Sequence, residues 1–135
     1  MTGLNIQAPW ARMILSEEKT VETRQYPLPR NYENKPLAVV ETNNGPAMII
    51  GLVQFSSSFK YNSILHWIED FPRHLVEETN NTYGWKEGKH GWVVNKVIPF
   101  NLPILAPTNK GIRYTKDIFE KIGLDDSYIM DLIKQ

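Results

Sequence analysis

Apolar residues recur along the chain in two spacings, one typical of amphipathic helices and the other of strands. The helical spacing and its capping residues predict helices at about residues 8–16, 62–70 and 74–78, and two short helices capped by Thr115 and Asp125. Alternating or continuous apolar runs predict strands at about residues 4–7, 20–24, 37–42, 47–55 and 92–100. Prolines and glycines between these segments predict loops, because proline interrupts a ladder of hydrogen bonds and glycine favours turns.

Strands interrupted by a few short helices indicate an α+β fold. The 135 residues contain no internal repeat, linker or low-complexity tract, so we predict a single domain over residues 1–135. With 41% hydrophobic residues, the chain can bury a core without covalent or metal cross-links. The sequence has no cysteine, which excludes a disulfide framework, a thiolate zinc site and a cysteine nucleophile.

Charge and hydropathy narrow the range of partners. Fifteen Lys and Arg balance fifteen Asp and Glu, so nucleic-acid binding would need a local basic patch rather than a general positive charge. The first residues lack the basic and apolar regions of a signal peptide, and no apolar run approaches the ~18 residues that span a bilayer. We expect no membrane association and a cytoplasmic location, with the nucleus as the alternative.

Residues 16–24 form a strongly polar segment that follows an apolar helix. Because strand side chains alternate, Thr20, Glu22 and Arg24 are predicted to share one face. Lys19 precedes this strand at a turn, where we expect it to lean over the same face and to make few packing contacts. Charges near a cleft must pair with each other or with a polar ligand, since uncompensated charge is costly away from water. We therefore predict a ligand-binding site here, with Glu22 paired to one of the two cations.

Residues 9–24 resemble the opening pattern of the ASCH family, a branch of the PUA-like small β-barrels. That pattern is roughly Pro-Trp-Ala, a few apolar residues, then Gly-x-Lys-x-x-Glu-x-Arg. The matching residues are Pro9, Trp10, Ala11, Ile14, Leu15, Lys19, Thr20, Glu22 and Arg24. Glu17 replaces the family's glycine, which removes easy access to positive φ before Lys19. The resemblance implies a small, mostly antiparallel PUA-like barrel with short flanking helices, and a cleft beside it that fits a nucleobase.

A second candidate segment is the loop at residues 83–92, where aromatic and basic residues interleave between glycines. Trp85 is predicted to lie at the rim, where an indole face can stack on a base, with Lys89 and His90 available to a phosphate. The alternative is a hairpin whose tryptophans fold inward. Trp92 begins an apolar strand and is predicted to be core, as is Trp10, which shares a helical face with apolar neighbours.

Several reaction classes lack the residues that they need. The three histidines, His66, His74 and His90, form no metal-ligand motif, so we expect no metal site. We predict that His66 and His74 lie on helix surfaces or bind backbone carbonyls. No phosphate-binding glycine loop of the GxxxxGK[ST] or GxGxxG type occurs, and no Gly-x-Ser-x-Gly elbow supports a serine triad. We therefore expect no cofactor.

The predicted function is binding of RNA, single-stranded nucleic acid or a nucleobase-containing ligand in the cleft that carries the Lys-x-x-Glu-x-Arg motif. The alternative is a hydrolase with Lys19 and Glu22 as catalytic residues. The resemblance implies two such activities, a ribonuclease and an amidohydrolase acting on 4-acetylcytidine. The amidohydrolase members carry Lys-x-x-Thr and a central-strand acid, where this chain has Glu22 and Gln54. A third alternative is a protein-interaction module formed by the loop at residues 26–36, and the sequence leaves open whether the protein is an enzyme.

Overall fold

Six strands and four short helices make up most of the regular structure in the computed structural model, which describes residues 1–107 and 113–133. The strands are β1 (Gly3–Gln7), β2 (Val21–Arg24), β3 (Leu37–Thr42), β4 (Met48–Lys60), β5 (His90–Leu105) and β6 (Tyr114–Thr115). The helices are α1 (Trp10–Leu15), α2 (Ile64–Glu69), α3 (Phe71–His74) and α4 (Asp126–Ile133). Two 3-10 turns, Arg30–Tyr32 and Glu120–Ile122, complete the order of elements.

The strands form one mixed sheet in the order β2-β5-β4-β3-β1-β6. β1 pairs in parallel with β3, and the crossover between them contains α1 and β2. The pairings of β1 with β6, β2 with β5, β3 with β4 and β4 with β5 are all antiparallel. The predicted α+β class is therefore confirmed.

The sheet is not closed into a barrel, so the barrel expected from the family resemblance is wrong for this chain. In the described residues, β2 pairs with β5 alone and β6 pairs with β1 alone. Closure would need a ladder of hydrogen bonds between these two edge strands. β2 has four residues and β6 has two, and they lie at opposite ends of the strand order.

β4 and β5 are longer than the sequence pattern predicts, with 13 and 16 residues, and they pair along most of their length. The register between them shifts first between Ile49 and Gly51. A Cβ atom at Gly51 would lie 2.6 Å from the carbonyl oxygen of Ile98, so glycine permits a close approach that other residues do not. This confirms the prediction that Gly51 marks a bend or a close backbone contact.

Successive residues of β3 belong to different hydrophobic clusters, so both faces of the sheet are covered. Val39 packs in the same cluster as Ile14 of α1. Ala38 packs on the other face in a cluster with Phe119 and Ile129 from the C-terminal part of the chain. A third cluster contains Tyr61, Trp67 and Val76, with Trp10, Tyr83 and Trp85 packed against it. This third cluster supports the segment that carries the aromatic wall of the cleft described below.

Two helices differ from their predicted extents. The helix predicted at residues 74–78 ends at His74, because Leu75 adopts a left-handed conformation with φ of 59°. Near the C-terminus, the helix predicted after Thr115 is reduced to a 3-10 turn that Gly123 ends with φ of 80°. None of the helices in the described ranges combines the length and the apolar character needed to cross a bilayer.

The start of α4 agrees with the predicted cap. Oδ1 of Asp125 accepts a hydrogen bond of 2.7 Å from the amide of Ser127, which satisfies one of the free donors at this helix end. Ile129 is buried, as its spacing predicts. The side chains of Leu132 and Ile133, also predicted to face inward, lie outside the described residues.

Candidate ligand-binding site

An open cleft of about 870 Å³ lies beside β1 and β2. Its wall includes Asn5, Ile6 and Gln7 from β1, Glu22, Thr23 and Arg24 from β2, Trp10 from α1, and Tyr83 from the loop before β5. Thr42, residues 45–47, residues 105–107 and Arg113 complete the lining. The cleft therefore brings the strand half of the polar motif together with two aromatic residues and a second arginine.

Arg24 and Glu22 form the polar centre of the cleft. They lie on one face of β2 because they are two residues apart, and β2 is fixed against β5 by the pairs Glu22–Trp92 and Arg24–His90. Nη2 of Arg24 donates to Oε2 of Glu22 at 2.9 Å and to the carbonyl oxygen of Asn5 at 2.8 Å. The guanidinium also lies 5.7 Å from the centroid of the Trp92 ring. These contacts confirm the predicted ion pair of Glu22 and fix the orientation of Arg24.

Lys19 is buried behind the cleft, which corrects the expectation that it leans over the polar face and makes few packing contacts. Its side chain is 0% exposed, and it is not among the described residues that line the cleft. Nζ donates to the carbonyl oxygen of His74 and lies 3.7 Å from Oε1 of Glu22. The cover comes from α3, since the amide of Thr20 donates to the carbonyl oxygen of Arg73 at 3.0 Å. The turn at Lys19 could be predicted from the local sequence. Its burial could not, because the covering residues lie far away in the chain.

Burial and charge act in opposite directions on the buried cations. Burial lowers the pKa of Lys19 from its ordinary value of 10.5 to about 8, although Glu22 opposes this by favouring the charged form. Burial also disfavours the charge on Arg24 and is the largest single effect on it, but the Glu22 carboxylate together with Tyr26 and Tyr114 raises the pKa of Arg24 overall. Glu22 therefore favours the charged form of both cations.

The glutamate that replaces the family's glycine keeps the turn before Lys19. Glu17 has φ of 69°, in the left-handed region that favours glycine. Its amide donates to the carbonyl oxygen of Ile14 at 3.1 Å, and the amide of Lys19 donates to that of Met13 at 3.0 Å. Glu17 therefore adopts the conformation that glycine favours, at the cost of local backbone strain.

The loop at residues 83–92 contributes to the cleft in a different way from the one predicted. Trp85 is half-buried, as predicted, but it packs against the third cluster and is not among the described residues that line the cleft. Lys89 is buried, and its ammonium donates to the carbonyl oxygen of Tyr83 at 3.1 Å. Nδ1 of His90 lies 2.7 Å from the carbonyl oxygen of Gly88. Trp92 is fully buried, as predicted.

Thr20 was predicted to share the ligand-binding face, but it is exposed and is not among the described residues that line the cleft. Both backbone groups of Thr20 are hydrogen-bonded. Its amide donates to the carbonyl oxygen of Arg73, and its carbonyl oxygen accepts from the amide of Val94 at 3.0 Å. Thr23, on the opposite side of the strand pattern, lines the cleft instead. The amide of Thr23 donates to Oε1 of Glu22 at 3.2 Å.

Trp10 was predicted to be core, but it is half-buried and forms part of the cleft wall. Its Nε1 donates to the carbonyl oxygen of Leu75 at 3.1 Å, and its ring meets that of Tyr83 edge to face, with centroids 5.3 Å apart. Sequence reasoning also missed Asn5 and Arg113, since their sequence positions give no sign of a shared wall. The helical spacing that identified Trp10 predicts one face of α1, but it does not show where that face meets solvent.

His74 is structural rather than a metal ligand or a catalytic base. It is fully buried, with Nε2 2.6 Å from the carbonyl oxygen of Trp67, and Nδ1 accepts from the amide of Val76 at 3.0 Å. Burial lowers the pKa of His74 to about 4, so the ring is neutral at physiological pH. Within the described residues, no group of three His, Asp or Glu side chains could hold a metal ion.

Solved structures of an ASCH protein from Zymomonas mobilis share this architecture. The first matches over 98% of this chain and 93% of its own, with a TM-score of 0.70 and 16% sequence identity. A tyrosine-to-phenylalanine mutant of that protein gives a TM-score of 0.67, and a serine-to-alanine mutant gives 0.62, each at 16% identity and 98% coverage of this chain. The mutants are covered over 96% and 94% of their lengths. The chain has the ASCH fold.

The resemblance of residues 9–24 is thus confirmed at the level of the fold. No protein-family model and no curated protein matches the chain. In this ASCH fold, the three charged residues of the motif differ in exposure. Lys19 is inaccessible, Glu22 is nearly so, and the Arg24 side chain keeps 16% of its surface exposed toward the cleft. Arg24 is therefore the residue of the motif that can contact a ligand directly.

Proposed function

We propose that this ASCH-fold protein belongs to the ASCH family and binds RNA or another nucleobase-containing ligand in the cleft beside β1 and β2. The observation that carries the proposal is the arrangement around Arg24. Its guanidinium is held by Glu22 and by the carbonyl oxygen of Asn5, and it faces a cavity with two aromatic side chains in its wall. A preoriented arginine beside aromatic rings suits a ligand that combines a flat base with polar or anionic groups.

The dimensions of the cleft support this proposal. Its volume of about 870 Å³ falls in the range of roughly 300–1,000 Å³ that small-molecule sites occupy. Stacking of one base on an aromatic side chain such as Trp10 or Tyr83 contributes about 1–3 kcal/mol. Polar groups on Asn5, Gln7 and Thr23 also line the cleft and are available to the edges of a base.

Binding is favoured over hydrolysis by the positions of the two residues that would be catalytic. Lys19 is inaccessible and donates to a backbone carbonyl, so it cannot reach a substrate in this arrangement. Both carboxylate oxygens of Glu22 have partners, one in the guanidinium of Arg24 and the other in the amide of Thr23. A general base needs direct or water-mediated contact with the proton that it removes. The experiment below therefore also tests for ribonuclease and amidohydrolase activity.

The test compares two arginines that each pair with a buried glutamate. Arg24→Gln removes the cation in the cleft, whereas Arg12→Gln removes the partner of buried Glu41, 2.9 Å away and outside the cleft lining. A charge-assisted hydrogen bond contributes roughly 1.5–3 kcal/mol, so we expect Arg24→Gln to weaken binding of short RNAs by about tenfold or more. Arg12→Gln should leave the affinity within about twofold. Fluorescence titrations with RNA oligomers and nucleosides measure both variants, and urea unfolding reports their stability.

Incubation of the wild type with the same RNAs and with 4-acetylcytidine, followed by mass spectrometry, tests for hydrolysis. Unchanged ligand masses together with saturable binding would support the proposal. Cleaved RNA or a deacetylated nucleoside would establish the hydrolase alternative. Equal loss of affinity in the two arginine variants would show that the cleft is not the binding site.

A further inference from the structure

Buried positive charge exceeds buried negative charge around the floor of the cleft. Lys19 is 0% exposed and Lys89 is 5% exposed, and both interact electrostatically with the Glu22 carboxylate. Arg24 shares the same carboxylate. Three cations therefore depend on one buried acid, and no second acidic side chain occurs among the described residues that line the cleft.

This excess has an energetic cost in the protein without ligand. Burial lowers the pKa of Lys19 to about 8 and also lowers that of Lys89, since both ammonium groups have lost water without gaining a carboxylate of their own. Lys19 and Lys89 donate instead to the backbone carbonyl oxygens of His74 and Tyr83. These neutral acceptors satisfy the hydrogen bonds, and the single carboxylate of Glu22 balances only one of the three positive charges.

We propose that the ligand of the cleft carries a phosphate, and that Lys19 and Lys89 attract this anion from behind the cleft wall without touching it. The inference rests on the proposed function and makes it more specific, because it favours nucleotides and RNA over uncharged nucleosides. An anion in the cleft would supply the missing negative charge across Glu22 and Arg24. Charges that are shielded from water act over longer distances than solvated ones, because little solvent lies between them to screen the field.

Arg113 is a second arginine available to a ligand in the same cleft. Its side chain is exposed, lines the cleft and lies 5.4 Å from the centroid of the Tyr26 ring. Arg24 and Arg113 can therefore both contact a phosphate in the cleft. In this proposal the two arginines contact the phosphate directly, and the two lysines attract it over a longer distance.

The test compares ligands that differ only in charge. The probes are the four common nucleosides, their 5′-monophosphates, and an RNA trimer with its methylphosphonate counterpart, which has an uncharged backbone. Calorimetric titration measures the affinity ratio of the charged to the uncharged member of each pair. We expect the wild type to prefer the charged member by about tenfold or more. The ratio cancels any loss of shape in the cleft, because both members of a pair would suffer it equally.

Variants with opposite expected signs make the test specific to charge. Lys89→Met should lower the ratio by about threefold or more, and Glu22→Gln should raise it, because the first removes a buried positive charge and the second a negative one. Lys96→Met is the control, since this lysine is exposed, lies outside the cleft lining and should change the ratio by less than about twofold. A merely structural role for Lys89 would weaken both members of a pair and leave the ratio unchanged.

A change of pH tests the buried lysines, and Lys19 above all, without a mutation. The charged groups that act on Lys19 are Glu22, Arg24 and Lys89, and the neutral His74 ring lies beside it. Between about pH 7 and about pH 9.5, Lys19 loses its proton, while a 5′-phosphate with a second pKa of about 6 keeps its charge. The preference for cytidine 5′-monophosphate over cytidine should therefore fall across this range.

The outcomes separate the inferred phosphate recognition from the proposed function. A charged-ligand preference that shifts in opposite directions in Lys89→Met and Glu22→Gln supports the inference. Equal binding of the charged and uncharged members would overturn it while leaving the proposed function standing. Binding of none of the probes would overturn both. Inorganic phosphate that binds as tightly as the nucleotides would support the anion site and refute recognition of the base.

Discussion

Replacing Lys19 by methionine should destabilise the protein at high pH, although the turn that carries this lysine looks permissive in the sequence. The linear side chain of methionine fills most of the space of the lysine stem, so packing changes little. The carbonyl oxygen of His74 loses its donor, and Glu22 loses one of its two ion-pair partners while keeping Arg24 at 2.9 Å. An unsatisfied buried acceptor costs about 1–3 kcal/mol. Removal of the buried charge offsets this cost near pH 7, so the loss of stability is expected at the upper end of the pH range, where Lys19 is neutral in the wild type.

The pH dependence of this loss has a definite sign. Burial lowers the pKa of Lys19 in the folded protein from 10.5 to about 8, so the unfolded chain binds this proton more tightly between those values. Where the unfolded state binds more protons, the free energy of unfolding rises with pH. From about pH 7 to about pH 9.5, this linkage adds about 2 kcal/mol to the wild type. Lys19→Met has no proton to release and gains nothing from it.

Urea unfolding of both proteins at intervals across this pH range measures the difference in their free energies of unfolding. The difference should widen by about 2 kcal/mol as the pH rises. Contributions from surface groups occur in both proteins and cancel in the difference. Lys96→Met should give a difference from the wild type that stays constant with pH, since this lysine is exposed and acts on neither Lys19 nor Lys89. A constant or narrowing difference for Lys19→Met would refute the inferred burial of a charged ammonium.

Three further substitutions test features of the fold by thermal and urea unfolding. Glu17→Gly should stabilise the protein by about 0.5–1 kcal/mol, because φ of 69° costs a residue with a Cβ, whereas Glu18→Gly should give no gain. Gly51→Ala should destabilise it by about 2 kcal/mol or more, because the new Cβ would lie 2.6 Å from a backbone carbonyl oxygen; an unchanged melting temperature would contradict this. Ser63→Ala should cost about 1 kcal/mol by removing the hydroxyl that caps α2 at the amide of His66, and Ser63→Asp should recover most of it.

Features that depend on neighbouring residues could be predicted from the sequence. The alternation along β2 gave the shared face of Glu22 and Arg24, and the cost of unpaired charge gave their ion pair. The close approach at Gly51 and the cap at Asp125 followed from the local chemistry of glycine and aspartate. The pattern at residues 9–24 gave the ASCH resemblance, which the structural comparison confirms for the fold.

Features that depend on distant residues could not be predicted in this way. Lys19 is buried by a segment more than fifty positions later, whose path turns at Leu75 in a left-handed conformation. The sheet is open because its two edge strands do not pair with each other. The alternation of apolar and polar residues predicts which face of a strand is buried, but it does not predict which strand edges pair. Trp10 faces the cleft because Tyr83 lies opposite it, on a loop that the third cluster holds in place.

The order of exposure along the motif explains how one short segment can serve both the core and the cleft. Lys19, inside the core, holds one oxygen of Glu22 at 3.7 Å, and the other oxygen of Glu22 holds Arg24 at 2.9 Å. Each charge thus orients the next, and the last one reaches the cleft. A lysine at the accessible end would be mobile, whereas a planar guanidinium fixed on one edge presents its remaining donors in a set direction. Under the proposed function, the buried lysine acts through the position of Arg24 rather than through contact with the ligand.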